Sequence, residues 1–192
     1  SRTEEYFYMP VFESAAMIPP QTRREALTEV RAQLDTVSGS ILNIRVGGND
    51  LSHAFGLRRP ANRTIYDLRP VADILIDIVA AFGTQYVVSG PVWEYYSGEG
   101  WEEGLRREME LDLLNGFTGK TVIHPNQIPV VNEMLRVSQR DYADARAILN
   151  WDTGSGSLVS ASEDGGRMNE YNTHSRWARR IVLRAERYGV RA

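Results

Sequence analysis

Two acidic residues stand where strand-like segments give way to loops. Glu13 follows the β-rich apolar run Tyr6–Phe12, and Asp50 follows Ile41–Val46 and the pair Gly47-Gly48. In parallel β/α proteins reactive groups gather where strands end and loops begin. Carboxylates on the ends of consecutive strands point into one mouth. Hard oxygen donors of that kind suit Mg²⁺ or Mn²⁺, which keep several waters and accept further oxygens from a substrate. Gly47 and Gly48 carry no side chain, so the backbone around Gly47, Gly48 and Asn49 can approach an anionic ligand. The plain alternative is that Glu13 and Asp50 are ordinary polar strand termini. Other strand ends supply Trp93-Glu94 and His124.

Several motifs fail on inspection. Gly116-Phe-Thr-Gly119-Lys120-Thr121 resembles a phosphate loop, but that loop needs glycine where Leu114 stands. Gly154-Ser155-Gly156 lacks the third glycine of a dinucleotide fingerprint and follows no strand. His53 and His174 are lone histidines in polar surroundings. The aromatic cluster Tyr86, Trp93, Tyr95, Tyr96 and Trp101 reads as core and rim packing, with a substrate wall as the alternative.

The elements that must position these groups alternate. A helix follows Glu13, with Thr22 and Glu25 spaced for a capping box and Gly39 as its stop. Leu51–Leu68 is polar and reads as a long loop. Pro70 opens a helix with Val71, Ile74, Leu75, Ile78 and Phe82 at helical spacing, closed by Gly83. Tyr86–Val88 is a third strand, a helix carries Glu102 and Glu103 in its first turn, and Thr121–Ile123 is a fourth strand. Ser138 with Asp141 starts another helix, and a terminal helix spans about 173–188 with arginines on one side. Strand–helix alternation at this rhythm predicts a parallel β/α architecture. Residues 1–152 read as the β/α portion, and 153–192 as a Gly/Ser-rich loop followed by an Arg-rich helix.

Composition narrows the classes. Of 192 residues 42% are hydrophobic and 24% charged, which fits a globular chain and excludes a disordered one. No run approaches the length of a membrane span, so no membrane partner is expected. A net charge of −3 argues against a nucleic-acid surface. Cysteine is absent, which removes disulfides, thiolate ligands and a cysteine nucleophile, and a cytoplasmic location is expected. The 22 basic residues include one lysine, Lys120, the single candidate for any site that needs an amine.

The stretch Gly116-Phe-Thr-Gly-Lys120-Thr-Val-Ile-His124-Pro125-Asn-Gln127-Ile128 resembles the signature of the citrate lyase beta-subunit / hydroxyacid aldolase family. Pro10-Val-Phe-Glu13-Ser14 resembles that family's strand ending in a metal-binding glutamate. Val46-Gly-Gly-Asn-Asp50-Leu51, followed by His53-Ala-Phe-Gly56-Leu57, resembles the strand end bearing its second metal ligand. Arg167-Met-Asn-Glu170, Trp177-Ala178 and Arg184-Ala-Glu-Arg-Tyr-Gly189-Val resemble the subgroup encoded near tellurite-resistance genes.

The resemblance implies a (β/α)₈ TIM barrel of which this chain supplies about four C-terminal β/α units, the second half, plus a helical tail. It implies a divalent-metal-dependent carbon–carbon lyase or aldolase acting on a hydroxyacid or acyl-CoA-type substrate through a metal-stabilised enolate. Glu13 and Asp50 would hold Mg²⁺ (or Mn²⁺), and Gly47, Gly48, Asn49 and Trp93 would bind substrate. His124 and Lys120 are the catalytic candidates. His124 would transfer a proton or fix the start of a helix, and Lys120 would form a salt bridge, a phosphate contact or a Schiff base. Homo-oligomers, trimeric or hexameric, are implied as well. Glu13 and Asp50 stand 37 residues apart, wider than the family pattern. The family's substrate-binding arginine comes from the first half of its barrel, which no segment here matches. Four parallel strands would leave two open edges, so a longer protein or a second half-barrel is expected. The competing readings are a barrel scaffold that has lost the reaction, and a biosynthetic enzyme for a nucleotide-like metabolite in a stress-resistance operon.

Overall fold

The computed structural model describes residues 4–151, 159–162 and 165–191. The chain divides into two compact units, Ser1–Val131 and Asn132–Ala192. In the first, strand β1 (Val11–Phe12) leads to helix α1 (Pro20–Asp35), and β2 (Arg45–Val46) to α2 (Gly48–Ala54) and α3 (Arg69–Phe82). β3 (Ser89–Gly90) is followed by α4 (Trp101–Leu114), and β4 (Gly119–Lys120) by α5 (Gln127–Met134).

All pairings among these strands are parallel. β1 pairs with β2, the bridge Ile44–Val88 joins β2 to the β3 segment, and β3 pairs with β4. Four β/α units therefore lie in sequence order, as the alternation predicts. Phe12, Ile44, Val46 and Val88 face one side of the sheet, where they pack with Leu27 of α1 and with Val71, Ile74, Leu75, Ile78 and Phe82 of α3. Burying each such side chain contributes roughly 1.5–3 kcal/mol. Helix α3 begins with proline in its first turn and ends at Gly83, whose N–H bonds to Val79 O.

The local details differ from the sequence expectations in instructive ways. Only Val11 and Phe12 of Tyr6–Phe12 form a ladder, with an isolated bridge from Tyr8 to Ile41. Helix α1 starts at Pro20. The Thr22 hydroxyl donates to Ala16 O and Pro19 O instead of closing a capping box with Glu25. The stretch expected as a long loop contains α2 and a 3-10 turn at Ile65–Asp67, capped by Thr64 and Asp67. The fourth strand is Gly119–Lys120, two residues before the expected Thr121–Ile123, because pairing with Ser89–Gly90 selects it over local β-propensity.

The second unit holds β5 (Val137–Ser138), α6 (Gln139–Leu149), β6 (Val159–Ala161), β7 (Met168–Glu170), α7 (Tyr171–Tyr188) and β8 (Val190–Arg191). β5 and β8 are parallel, and β6 and β7 antiparallel. Val137, Ala145, Ile148, Ala178, Ile181 and Ala185 form the core between α6 and α7. Ser138 caps α6 as its sequence predicts, its hydroxyl accepting the Asp141 N–H at 3.1 Å. Part of the Gly/Ser-rich segment is strand β6, while Gly154-Ser155-Gly156 lies outside the described residues. Among the described residues no helix is long and apolar enough to cross a membrane.

Candidate functional site

The register of the sheet sets the site. Phe12 pairs with Val46, so Glu13 and Gly47 leave their strands at the same level, and the Gly47 N–H bonds to Phe12 O at 3.0 Å. Gly47 opens directly into α2, which brings Asp50 back over the strand end within one turn. A methyl group built on Gly47 would overlap the Glu13 carboxylate and lie 3.1 Å from Asp50 Oδ2. Both carboxylates thus close on one point. Their nearest oxygens are no more than about 5.5 Å apart, a gap that rotation of two exposed side chains closes around one cation with oxygen distances of about 2.0–2.1 Å.

The donor set fits a hard divalent ion that keeps most of its waters. Two carboxylates converge, and among the described residues no group of three or more His, Cys, Asp or Glu is placed to hold a metal. A glycine at position 47 is required by this arrangement, because any side chain would occupy the space where the carboxylates meet. Gly48 is required for a different reason. It is buried, and a methyl there would lie 2.6 Å from Pro91 Cβ and from Ile65 Cδ1. The first helical bond of α2 runs from Leu51 N to Gly47 O, so the N–H groups of Gly48, Asn49 and Asp50 precede it.

Behind Asn49 lies a buried ionic cluster that the sequence did not announce. Arg59 places Nη1 3.4 Å from Asn49 Oδ1 and donates from Nη2 to Val92 O at 2.5 Å. Its Nε lies 2.9 Å from Glu108 Oε2, with both side chains wholly buried, and its guanidinium sits over the Trp93 ring. Lys120 Nζ is 2.8 Å from Glu108 Oε1 and 2.8 Å from Asp112 Oδ2. Tyr66 donates its hydroxyl to Asp112 Oδ1 at 2.7 Å. Arg59 Nη1 also lies 3.7 Å from Glu94 Oε1 at the edge of the cluster, so each buried cation faces two carboxylates, which is the condition for holding such groups out of water. Burial pulls the Lys120 amine down, but the facing carboxylates of Asp112 and Glu108 outweigh it and hold the amine above its ordinary value. Burial raises the Asp112 carboxyl, and burial followed by the Asp112 charge raises the Tyr66 phenol.

The candidate residues therefore fall into separate places. Glu13, Asp50, Gly47 and Asn49 share the strand-end mouth. Lys120 lies in the buried cluster facing α4. Held charged between two carboxylates, it has no free lone pair for a Schiff base. Trp93 is fully buried, donates Nε1–H to Trp101 O at 2.9 Å and packs against Gly104, so it backs the pocket from within. His124 stacks on Tyr96 at 4.3 Å, and its Nδ1 accepts the Asn126 N–H at 3.2 Å, which leaves Nε2 to carry the proton of the neutral ring. Beside it the buried Gln127 donates to Trp93 O and Tyr95 O and accepts from the Ile123 N–H. That one amide ties together the loops after β3 and β4, which gives the His-Pro-x-Gln stretch a structural purpose.

A parallel β/α sheet with its four β/α units in sequence order, and two carboxylates side by side at neighbouring strand ends, defines a protein of the barrel type. The sequence matches the family described as the C–C bond lyases of the TIM-barrel fold over residues 1–190, and the chain belongs to that family. It is 38% identical over 74 residues, 38% of its own length, to an L-malyl-CoA/beta-methylmalyl-CoA lyase of Cereibacter sphaeroides. It is similar to the CitE protein of Mycobacterium tuberculosis, solved with magnesium, acetoacetate and coenzyme A, at TM-score 0.57 and 25% identity over 77% of this chain. A citrate lyase of Burkholderia xenovorans LB400 shares the fold at TM-score 0.63 and 18% identity over the whole chain. The chain spans 22% of the Cereibacter lyase and 53% and 66% of the two solved chains.

Proposed function

We propose that this chain carries the metal-binding half of a divalent-cation-dependent carbon–carbon lyase acting on a hydroxyacid or its coenzyme-A thioester. The observation that carries the reading is the convergence of Glu13 and Asp50 on Gly47. Breaking a carbon–carbon bond beside a carbonyl leaves negative charge on the carbonyl oxygen, and such a charge needs a fixed positive partner. When bound, Mg²⁺ supplies that partner and polarises the carbonyl. Glu13 and Asp50 would hold the ion from adjacent strand ends. Arg59 bonds to Asn49 in the first turn of α2, so Asp50 is presented by an anchored helix end. Gly47 and Gly48 let the turn approach closely, and the unbonded N–H groups of the α2 opening suit a substrate carboxylate. The protonated Nε2 of His124 is the one imidazole donor at the end of β4. The matched Cereibacter lyase and the CitE complex support an acyl-CoA or small carboxylate as the substrate class. The tellurite-resistance subgroup remains part of the same proposal, and the genes flanking this one test it.

The intact natural polypeptide should release a carbonyl product from citrate, malyl-CoA or a related 3-hydroxyacyl thioester only with Mg²⁺ or Mn²⁺ present. Glu13→Gln and Asp50→Asn should each lower turnover by at least about 100-fold, the scale of one lost charge-stabilising group. Turnover unchanged by chelation would overturn the proposal, and full binding of these compounds without turnover would favour the scaffold reading.

A further inference from the structure

Among the described residues, one cation on the open face of the sheet, Arg45, has no counter-ion. Side chains alternate along a strand. On β2, Ile44 and Val46 point into the core beneath the helices, so Asn43, Arg45 and Gly47 share the opposite face. That face is the one on which Glu13 and Asp50 close over Gly47. Its layers follow from the registers. Glu13 is level with Gly47, the Ile44–Val88 bridge makes Gly47 level with Pro91, and the Gly90–Lys120 pairing makes Pro91 level with Thr121. Arg45 starts one layer lower. Its Nε reaches Thr121 Oγ1 at 3.4 Å, across the width of β3. The guanidinium has therefore climbed into the layer of Glu13 and Thr121.

Among the described residues this is the side chain's one hydrogen bond, and no ion pair is made to it. The two Nη groups remain to be matched. Beneath it Asn43 donates to Ser89 Oγ at 2.9 Å, and its Oδ1 is buried without a partner. A polar column thus runs under the mouth on a face that an ordinary barrel interior fills with branched apolar residues.

We infer that Arg45, steadied by Thr121, is a binding residue for a carboxylate of the substrate, in the same layer as the Glu13–Asp50 pair. A planar guanidinium with free Nη groups matches a carboxylate in two-point geometry, which an ammonium cannot. This rests on the proposed metal site and narrows its substrate to an anionic acid whose carboxylate lies within one side-chain length of the metal-binding carboxylates. A monoanion or dianion of few carbons meets that condition.

The test is calorimetric titration of the intact polypeptide with Mg²⁺ alone, and then with oxalate in the presence of Mg²⁺. Arg45→Met should weaken oxalate at least ten-fold while Mg²⁺ affinity stays within two-fold. Arg45→Lys, which keeps the charge but loses the fork, should weaken oxalate at least three-fold and serves as the measurement should the methionine variant fail to fold. Glu13→Gln should lose Mg²⁺ itself. Oxalate affinity unchanged in the folded Arg45 variants, or no oxalate binding by the unaltered protein, overturns the inference. Mg²⁺ affinity unchanged in Glu13→Gln instead removes the metal site on which it rests, so the two failures are told apart.

Discussion

At the scale of single residues the site depends on what is missing at position 47. Gly47 has a backbone conformation open to any residue, φ −83°, so its side-chain-free character is needed for space and not for torsion. Gly47→Ala would set a methyl 2.5 Å from Glu13 Cβ, which side-chain rotation cannot clear, so the end of β1 must shift. The substitution should lower Mg²⁺ affinity by ten-fold or more, read by titration, and lower the melting temperature as well. Lys120 poses the opposite case. Lys120→Met would leave Glu108 and Asp112 buried without their shared cation, at a cost of about 3–5 kcal/mol in denaturant unfolding. The sign of its pH dependence is fixed by the direction of the shift. A raised amine stabilises the fold fully below the ordinary lysine value of 10.5 and stops doing so as pH climbs through its folded value. The raised Tyr66 phenol acts in the same sense from its ordinary 10.0 upward. Stability should therefore fall above about pH 10, more shallowly in Lys120→Met. A stability curve flat from pH 9 to 12 in the unaltered protein would contradict the buried cluster.

At the scale of elements the loops after β3 and β4 are fixed by one amide. Gln127→Leu would strip partners from Trp93 O, Tyr95 O and the Ile123 N–H. Leaving the buried Trp93 O unpaired costs about 1–3 kcal/mol, and the part-buried Tyr95 O and Ile123 N–H less, so the variant should unfold at lower denaturant and expose the two loops to proteolysis. Unchanged stability would show that water replaces the amide. How much of this was legible follows from range. Helix α3 was read correctly because period, Pro70 and Gly83 agree within its own span. Glu13 is legible because it follows a strand-like apolar run, and Asp50 because it follows a strand and the pair Gly47-Gly48. The Arg59–Glu108 pair joins residues 49 apart and leaves no local pattern, and Arg59 sits in a stretch that reads as plain polar loop. Helix α2 leaves no such local signal, because it is seven residues long and opens on glycine. The register that sets Arg45 beside Thr121 exists only once the sheet is assembled, 76 residues apart in sequence.

At the scale of the molecule Glu13 and Asp50 both belong to the unit Ser1–Val131, just past the first two of its four parallel strands. The edge beyond β1 carries exposed Tyr6, Phe7, Tyr8, Met9 and Val11, an unpaired apolar margin of the kind that invites another strand. The chain spans 53% and 66% of the two solved chains it resembles. The claim on which everything else depends is that Glu13 and Asp50 share one ion. Anomalous diffraction from crystals of the intact protein soaked in Mn²⁺ tests it most directly. The account predicts one dominant peak within about 2.0–2.3 Å of a carboxylate oxygen from each residue, its remaining positions open to water or substrate. A peak bound elsewhere, or a mouth empty at saturating metal, would contradict it.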